Sequence, residues 1–199
     1  MIPLFFWLLV NPFWLEKPAA DWTDIELSEF FVDSPWAQTV GGPARSTNAR
    51  PVQVYLATAA PAVAAEKERE KRAKLRRKPG EPEKEDPLAE EYRVWLEDNL
   101  QSQVVIAIRI PMNPDLSKES EVRHMEEDSY MQVGRKKVKM SGHFPPSPSD
   151  PYLRMAFPRQ PVGDEKTITF SLYIPGLPLP FREVQFHPKD MLVNGKPEM

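Results

Sequence analysis

The chain of 199 residues contains no cysteine. That excludes disulfides, a thiolate nucleophile and any zinc site built on sulfur. Neither sign of charge dominates. The 26 lysines and arginines and 29 aspartates and glutamates leave a net charge of −3, far from the basic balance of domains that hold nucleic acid over a whole surface. No apolar run reaches the roughly 20 residues of a comfortable membrane span. The three histidines, His124, His143 and His187, never stand four apart or in a His-Glu-x-x-His pattern. There is no Gly-x-Ser-x-Gly elbow, and Gly41-Gly42 lacks the Lys-Ser/Thr that completes a phosphate loop. No catalytic residue, cofactor-binding residue or metal ligand is nominated.

Proline, by contrast, is abundant. Its 23 occurrences are about twice the ordinary share of about 5%. Proline breaks helices and is kept out of central strand positions, so turns, extended segments and strand edges must be frequent. The expected fold class is α+β: a mostly antiparallel sheet or partly open β-sandwich, with two packed amphipathic helices and a charged helical insertion.

Trp22 to Ala37 is the most distinctive block. Thr23 and Glu26 have capping-box spacing, in which the hydroxyl and the carboxylate each satisfy a free N–H. Ile25, Leu27, Phe30 and Phe31 follow at helical spacing, and Pro35 biases Ser34 away from the helical region. Phe30, Phe31 and Trp36 are expected to anchor this helix to the sheet. Leu88 to Leu100 reads as a second helix, with Leu88, Tyr92, Trp95, Leu96 and Asn99 on one face. Val52, Val54 and Leu56 alternate in a strand, and a further helix can begin over Ala59 to Ala65. Gln103 to Ile110 is almost continuously apolar, as a strand covered on both faces must be. Residues 129–133 and 136–140 flank a turn at Gly134-Arg135. Tyr152 to Phe157, Thr167 to Ile174 and Phe181 to Phe186 complete the strands, with a turn signal at Val193-Asn194-Gly195-Lys196. Asp115 to Glu127 reads as polar and irregular, and Phe144 to Pro151 as an extended connector.

Residues 66–78 hold eight basic residues against three acidic ones. Pairs spaced i, i+4 support a solvated helix, but no apolar face is available to dock it. With the proline-rich, acidic stretch to Pro87, residues 66–87 read as a charged flexible insertion within a single domain of residues 21–199. Asp21, Asp24, Glu26, Glu29 and Asp33 cluster, and paired carboxylates can cleave glycosides, but one polar helix side explains them by solvation and capping. Ser34 reads as a turn residue. Trp22, Trp36 and Trp95 read as core, leaving Trp7 and Trp14 as aromatics that can line a groove.

Residues 1–20 form a signal-like apolar segment, with a small-residue region at Pro18-Ala19-Ala20 and no basic residue before the apolar core. The other reading of that run is an arm buried in the domain. Two blocks carry a resemblance: Trp22-Thr23-Asp24 through Asp33-Ser34-Pro35-Trp36-Ala37, and Arg182 through Lys189-Asp190-Met191 to Gly195-Lys196-Pro197-Glu198-Met199. Together they resemble a group of secreted bacterial proteins of acidobacterial type with no known activity, and Met155 to Arg159 also looks family-like. The resemblance implies export, periplasmic or secreted, and transfers no functional residue. The expected role is a non-enzymatic binding or structural protein of the cell envelope, with a protein or envelope component as partner rather than nucleic acid. The alternatives are a hydrolase whose dispersed acids or histidines meet only in the fold, and a module that binds a partner or an anionic surface through residues 66–78.

Overall fold

The computed structural model describes residues 12–41, 50–78, 85–110 and 116–199. Trp7, most of the loop from Gly41 to Arg50 and most of the linker 79–87 lie outside them.

The chain enters through a short helix α1 (Phe13–Glu16) and one 3-10 turn (Ala19–Asp21), then forms α2 (Asp24–Phe30). The capping box at the start of α2 is complete: Glu26 N–H donates to Thr23 Oγ1, and Thr23 N–H to the Glu26 carboxylate. β1 (Ala37–Val40) and β2 (Val52–Leu56) precede a long helix α3 (Ala60–Leu75), with Pro61 in its first turn. α4 (Pro87–Asn99) is capped by Asp86 and leads to β3 (Gln103–Arg109). α5 (Glu119–Asp128) follows, then β4 (Tyr130–Val133), β5 (Lys136–Lys139), β6 (Gly142–Phe144), β7 (Tyr152–Pro158), β8 (Ile168–Tyr173) and β9 (Phe181–Phe186). A last hairpin pairs β10 (Leu192–Val193) with β11 (Lys196–Pro197). Its turn places Asn194 and Gly195 at positive φ, as a two-residue hairpin turn of type I′ requires.

Two antiparallel sheets result, one ordered β1-β2-β3-β7-β6 and the other β5-β4-β8-β9. The fold is α+β, a partly open sandwich. β5 and β6 lie in different sheets, so the chain changes sheet at Met140-Ser141, where Ser141 N–H already bonds Ala156 O. The inner faces pack into one core, with Phe157 of β7 and Phe170 of β8 edge to face at 5.4 Å. β3 is central, and Val104 to Ile108 are all fully buried, which is why its sequence lacks alternation.

The outer faces differ. Over the first sheet, alternation turns Tyr55, Tyr152 and Arg154 toward α3 and α4. The second sheet has α5 at one end, where Tyr173 Oη donates to Glu121 and His143 lies 3.6 Å from Glu126. The rest of its outer face has no helix over it among the described residues: Tyr130, Gln132, Thr169 and Ser171 are half-buried and Lys137, Lys139, Glu183 and Gln185 exposed.

Several expectations are corrected. Asp115–Glu127 is not irregular, since Glu119–Asp128 is helical; Met125 is its single fully buried residue, and one apolar anchor gives little periodic signal. Residues 142–144 are a strand because β7 offers a partner edge. Ile25, placed in the helix's apolar series, is 78% exposed, and α2 docks through Leu27 and Phe30 instead, with Phe31 at its C-cap. Leu88 is likewise exposed on α4, whose buried anchor is Tyr92. Residues 66–75 are not an undocked segment. They continue α3 from its buried first turns, and Glu66, Arg69 and Arg72 hold it to the rest of the chain by polar contacts, with Glu68 bracing Arg72 within the helix.

Candidate functional site

Across the outer face of the first sheet, Tyr55, Ala107, Arg154 and Phe144 stand side by side in register. Ala107 is small, so the Tyr55 hydroxyl and the Arg154 guanidinium meet above it at 3.5 Å. α3 and α4 close over this point. Arg154 Nη2 lies 2.9 Å from Glu66 Oε1, Nε donates to Asp150 at 2.7 Å, and Nη1 donates to the Tyr92 hydroxyl at 3.1 Å. The Tyr55 hydroxyl donates to Glu66. Beside them, Arg69 donates to the Tyr152 hydroxyl at 3.0 Å and stacks 4.4 Å from the Phe31 ring centre.

The electrostatics follow from this geometry. Burial pushes the Arg154 guanidinium toward the neutral form, but Glu66, Tyr55, Tyr92 and Asp150 outweigh it and raise its pKa well above the usual value. Burial likewise raises the Tyr55 phenol, more than Arg154 lowers it, so Tyr55 stays a donor. Two cations face two carboxylates, and Nε, Nη1 and Nη2 of Arg154 each have a partner. The arrangement is a clamp that fixes α3, α4 and the 150 loop on the sheet. Sequence reading missed it, because its members come from β2, α3, α4 and β7. A usable signal was the lone Arg154 inside the apolar run Tyr152–Pro158.

A second feature is a hollow of about 330 Å³ whose lining includes Trp14, Leu15, Trp22, Ala64, Val193 and Asn194. Phe13 sits edge to face on Trp22 at 5.1 Å and Trp14 on Phe30 at 6.4 Å. The Trp22 indole N–H donates to Lys17 O, and Lys17 pairs with Glu26 at 2.8 Å. Residues 13–19, read as the end of a signal-like segment, therefore pack on the domain.

The residues singled out from sequence lie apart. His124 pairs with Asp128 on α5, His143 is on β6, and His187 contacts Thr167 and Lys166 O after β9. Among the described residues no three of His, Cys, Asp and Glu converge to hold a metal ion. Asp24 bonds Arg72 and Arg76, and Glu26 completes the cap. The Lys17 ammonium and the Thr23 N–H hold Glu26 at a pKa of about 2. Ser34 Oγ accepts from Trp36 N–H in a local turn. Within 66–78, Arg69, Arg72 and Arg76 are engaged in the fold.

The sequence blocks that stood out meet in space. The Trp36 indole donates to Glu198 O at 2.9 Å, and Arg159 donates to Met199 O, Leu100 O and Gln103 O. Met191 and Met199 are buried in the core. Comparison with protein families, curated proteins and solved structures yields no match.

Proposed function

We propose that the protein is an exported component of the cell envelope that acts by binding rather than by chemistry. The observation that carries the binding reading is the tryptophan-lined hollow between α1, Trp22, the first turns of α3 and the β10–β11 turn. Its volume lies in the lower range of small-ligand sites, about 300–1,000 Å³, and its lining is mainly apolar, with Asn194 among the lining residues as a polar side chain. Such a site suits a ring or short chain with an apolar face, stacked on indole. The export reading is supported by the apolar run over residues 2–15, taken as an uncleaved signal-like segment because Trp14 and Leu15 line the hollow, and by the resemblance to secreted proteins. No described helix is long and apolar enough to cross a membrane.

The test is a fluorescence titration with anilinonaphthalene sulfonate as probe, on the full chain and on Ala64→Leu. Ala64 is exposed on a helix, so leucine there fills the hollow at little cost to folding. Saturable quenching of tryptophan emission in the parent, lost in Ala64→Leu, supports the reading. Equal quenching in both chains overturns it. Recovery of the chain only from the cytosolic fraction of its host would overturn export.

A further inference from the structure

Alternation along the second sheet places Lys137, Lys139 and Tyr130 on its outer face with Phe181, three strands away. Lys139 stands opposite Tyr130, Tyr130 opposite Ser171, and Tyr173 opposite Phe181. The tight turn Gly134-Arg135 adds Arg135 at the edge, and Lys136, exposed opposite the inward-facing Val133, brings the cations within five residues to four. Among the described residues none of the four is paired with a carboxylate. The Lys137 ammonium lies 4.3 Å over the Tyr130 ring, and Glu165 is the acid nearest the turn, beside Gly134. Phe181 is 55% exposed on this face although its neighbours Arg182 and Val184 are buried.

Lysine on β5 guards an open sheet edge against pairing with other chains. That role accounts for a cation there. It does not account for an exposed phenylalanine on the same face. A flat face with a basic rim at one side and an aromatic at the other matches a surface that is itself anionic with an apolar layer beneath. We propose that the outer face of β5-β4-β8-β9 docks on an anionic phospholipid surface, with the β4–β5 turn supplying the charge and Phe181 the apolar contact. Glu183 lies on the same face beside Phe181, which opposes a continuous polyphosphate chain but leaves room for discrete headgroups. The proposal is independent of the hollow, and either can fail without the other.

The test is sedimentation of the full chain with vesicles of phosphatidylcholine alone or of equal parts phosphatidylcholine and phosphatidylglycerol. Each basic residue near such a surface contributes about fivefold in affinity. Lys137 and Lys139 lie on the docking face, so the triple variant Lys136→Gln/Lys137→Gln/Lys139→Gln should bind the anionic vesicles about thirtyfold more weakly. Parent binding should fall as salt rises from about 0.1 M to about 0.5 M, and Phe181→Ser should weaken it at either salt. Equal binding to neutral and anionic vesicles overturns the proposal, as does an unchanged triple variant. So does tighter binding to single-stranded DNA than to the anionic vesicles.

Discussion

The two sheets both turn polar side chains outward, and they do opposite things with them. On the first sheet Tyr55, Tyr152 and Arg154 are sealed under α3 and α4, and charge is matched by charge around one guanidinium. On the second sheet Tyr130, Lys137, Lys139 and Glu183 face outward under no helix among the described residues. The same contrast separates the two basic segments. Residues 66–78 carry the larger excess, yet Arg69, Arg72 and Arg76 are held by Tyr152, Asp24 and backbone carbonyls. Residues 135–139 carry less charge, and among the described residues none of it is paired with a carboxylate. Density of charge along a sequence does not say whether that charge is available. What the fold brings opposite it does.

The contrast breaks most readily at Arg154. Arg154→Ala leaves the half-buried Glu66 and Asp150 without their cation and empties the buried site beneath Tyr92, and should lose about 3 kcal/mol in urea unfolding. A loss below about 1 kcal/mol would show that α3 and α4 are held by something else. Next is the aromatic entry. Phe13→Ala with Trp14→Ala removes the ring contacts to Trp22 and Phe30 and should cost about 1–3 kcal/mol. An unchanged melting temperature would place Pro12–Asp21 outside the folding unit. Thr23→Ala should cost about 1 kcal/mol by opening the capping box, measured in the same way.

Acid titration sharpens the picture at two carboxylates. Glu26 is held at about 2 by Lys17 and Thr23. Burial raises Asp86, but hydrogen bonds from Ser149, Ser147 and two backbone N–H groups outweigh it and bring it also to about 2. Both values lie below the unfolded ones, so each group's contribution is complete above its ordinary value, 4.5 for Glu26 and 3.8 for Asp86, and fades as pH falls through about 2. Urea midpoints should fall over that window, and Glu26→Gln should flatten the fall. A profile that Glu26→Gln leaves unaltered would remove Glu26 from this role.

Much of this architecture was legible from residue order. The capping box at Thr23 and Glu26, the alternation of Ile168, Phe170 and Leu172, and the apolar run through β3 are local patterns, and the elements form where those patterns lie. The elements missed were those that depend on a distant partner. β6 needs the edge of β7, and α5 shows a single buried residue, Met125. The docking of α3 was hidden for a related reason. A helix usually declares its buried face by apolar side chains, and this one is held beyond Ala65 by Glu66, Arg69 and Arg72. The Arg154 clamp was illegible because it joins side chains as far as 99 positions apart.

The most direct test sets the two basic segments side by side in one urea titration, with Lys136→Gln/Lys137→Gln/Lys139→Gln against Arg72→Gln. Arg72 donates to Trp22 O and pairs with Glu68 and Asp24, so Arg72→Gln should unfold at lower urea than the parent. The hairpin variant should unfold near the parent midpoint, since relief of mutual repulsion offsets the lost contact of Lys137 with the Tyr130 ring. A hairpin variant as destabilised as Arg72→Gln, or an Arg72→Gln as stable as the parent, would contradict the account.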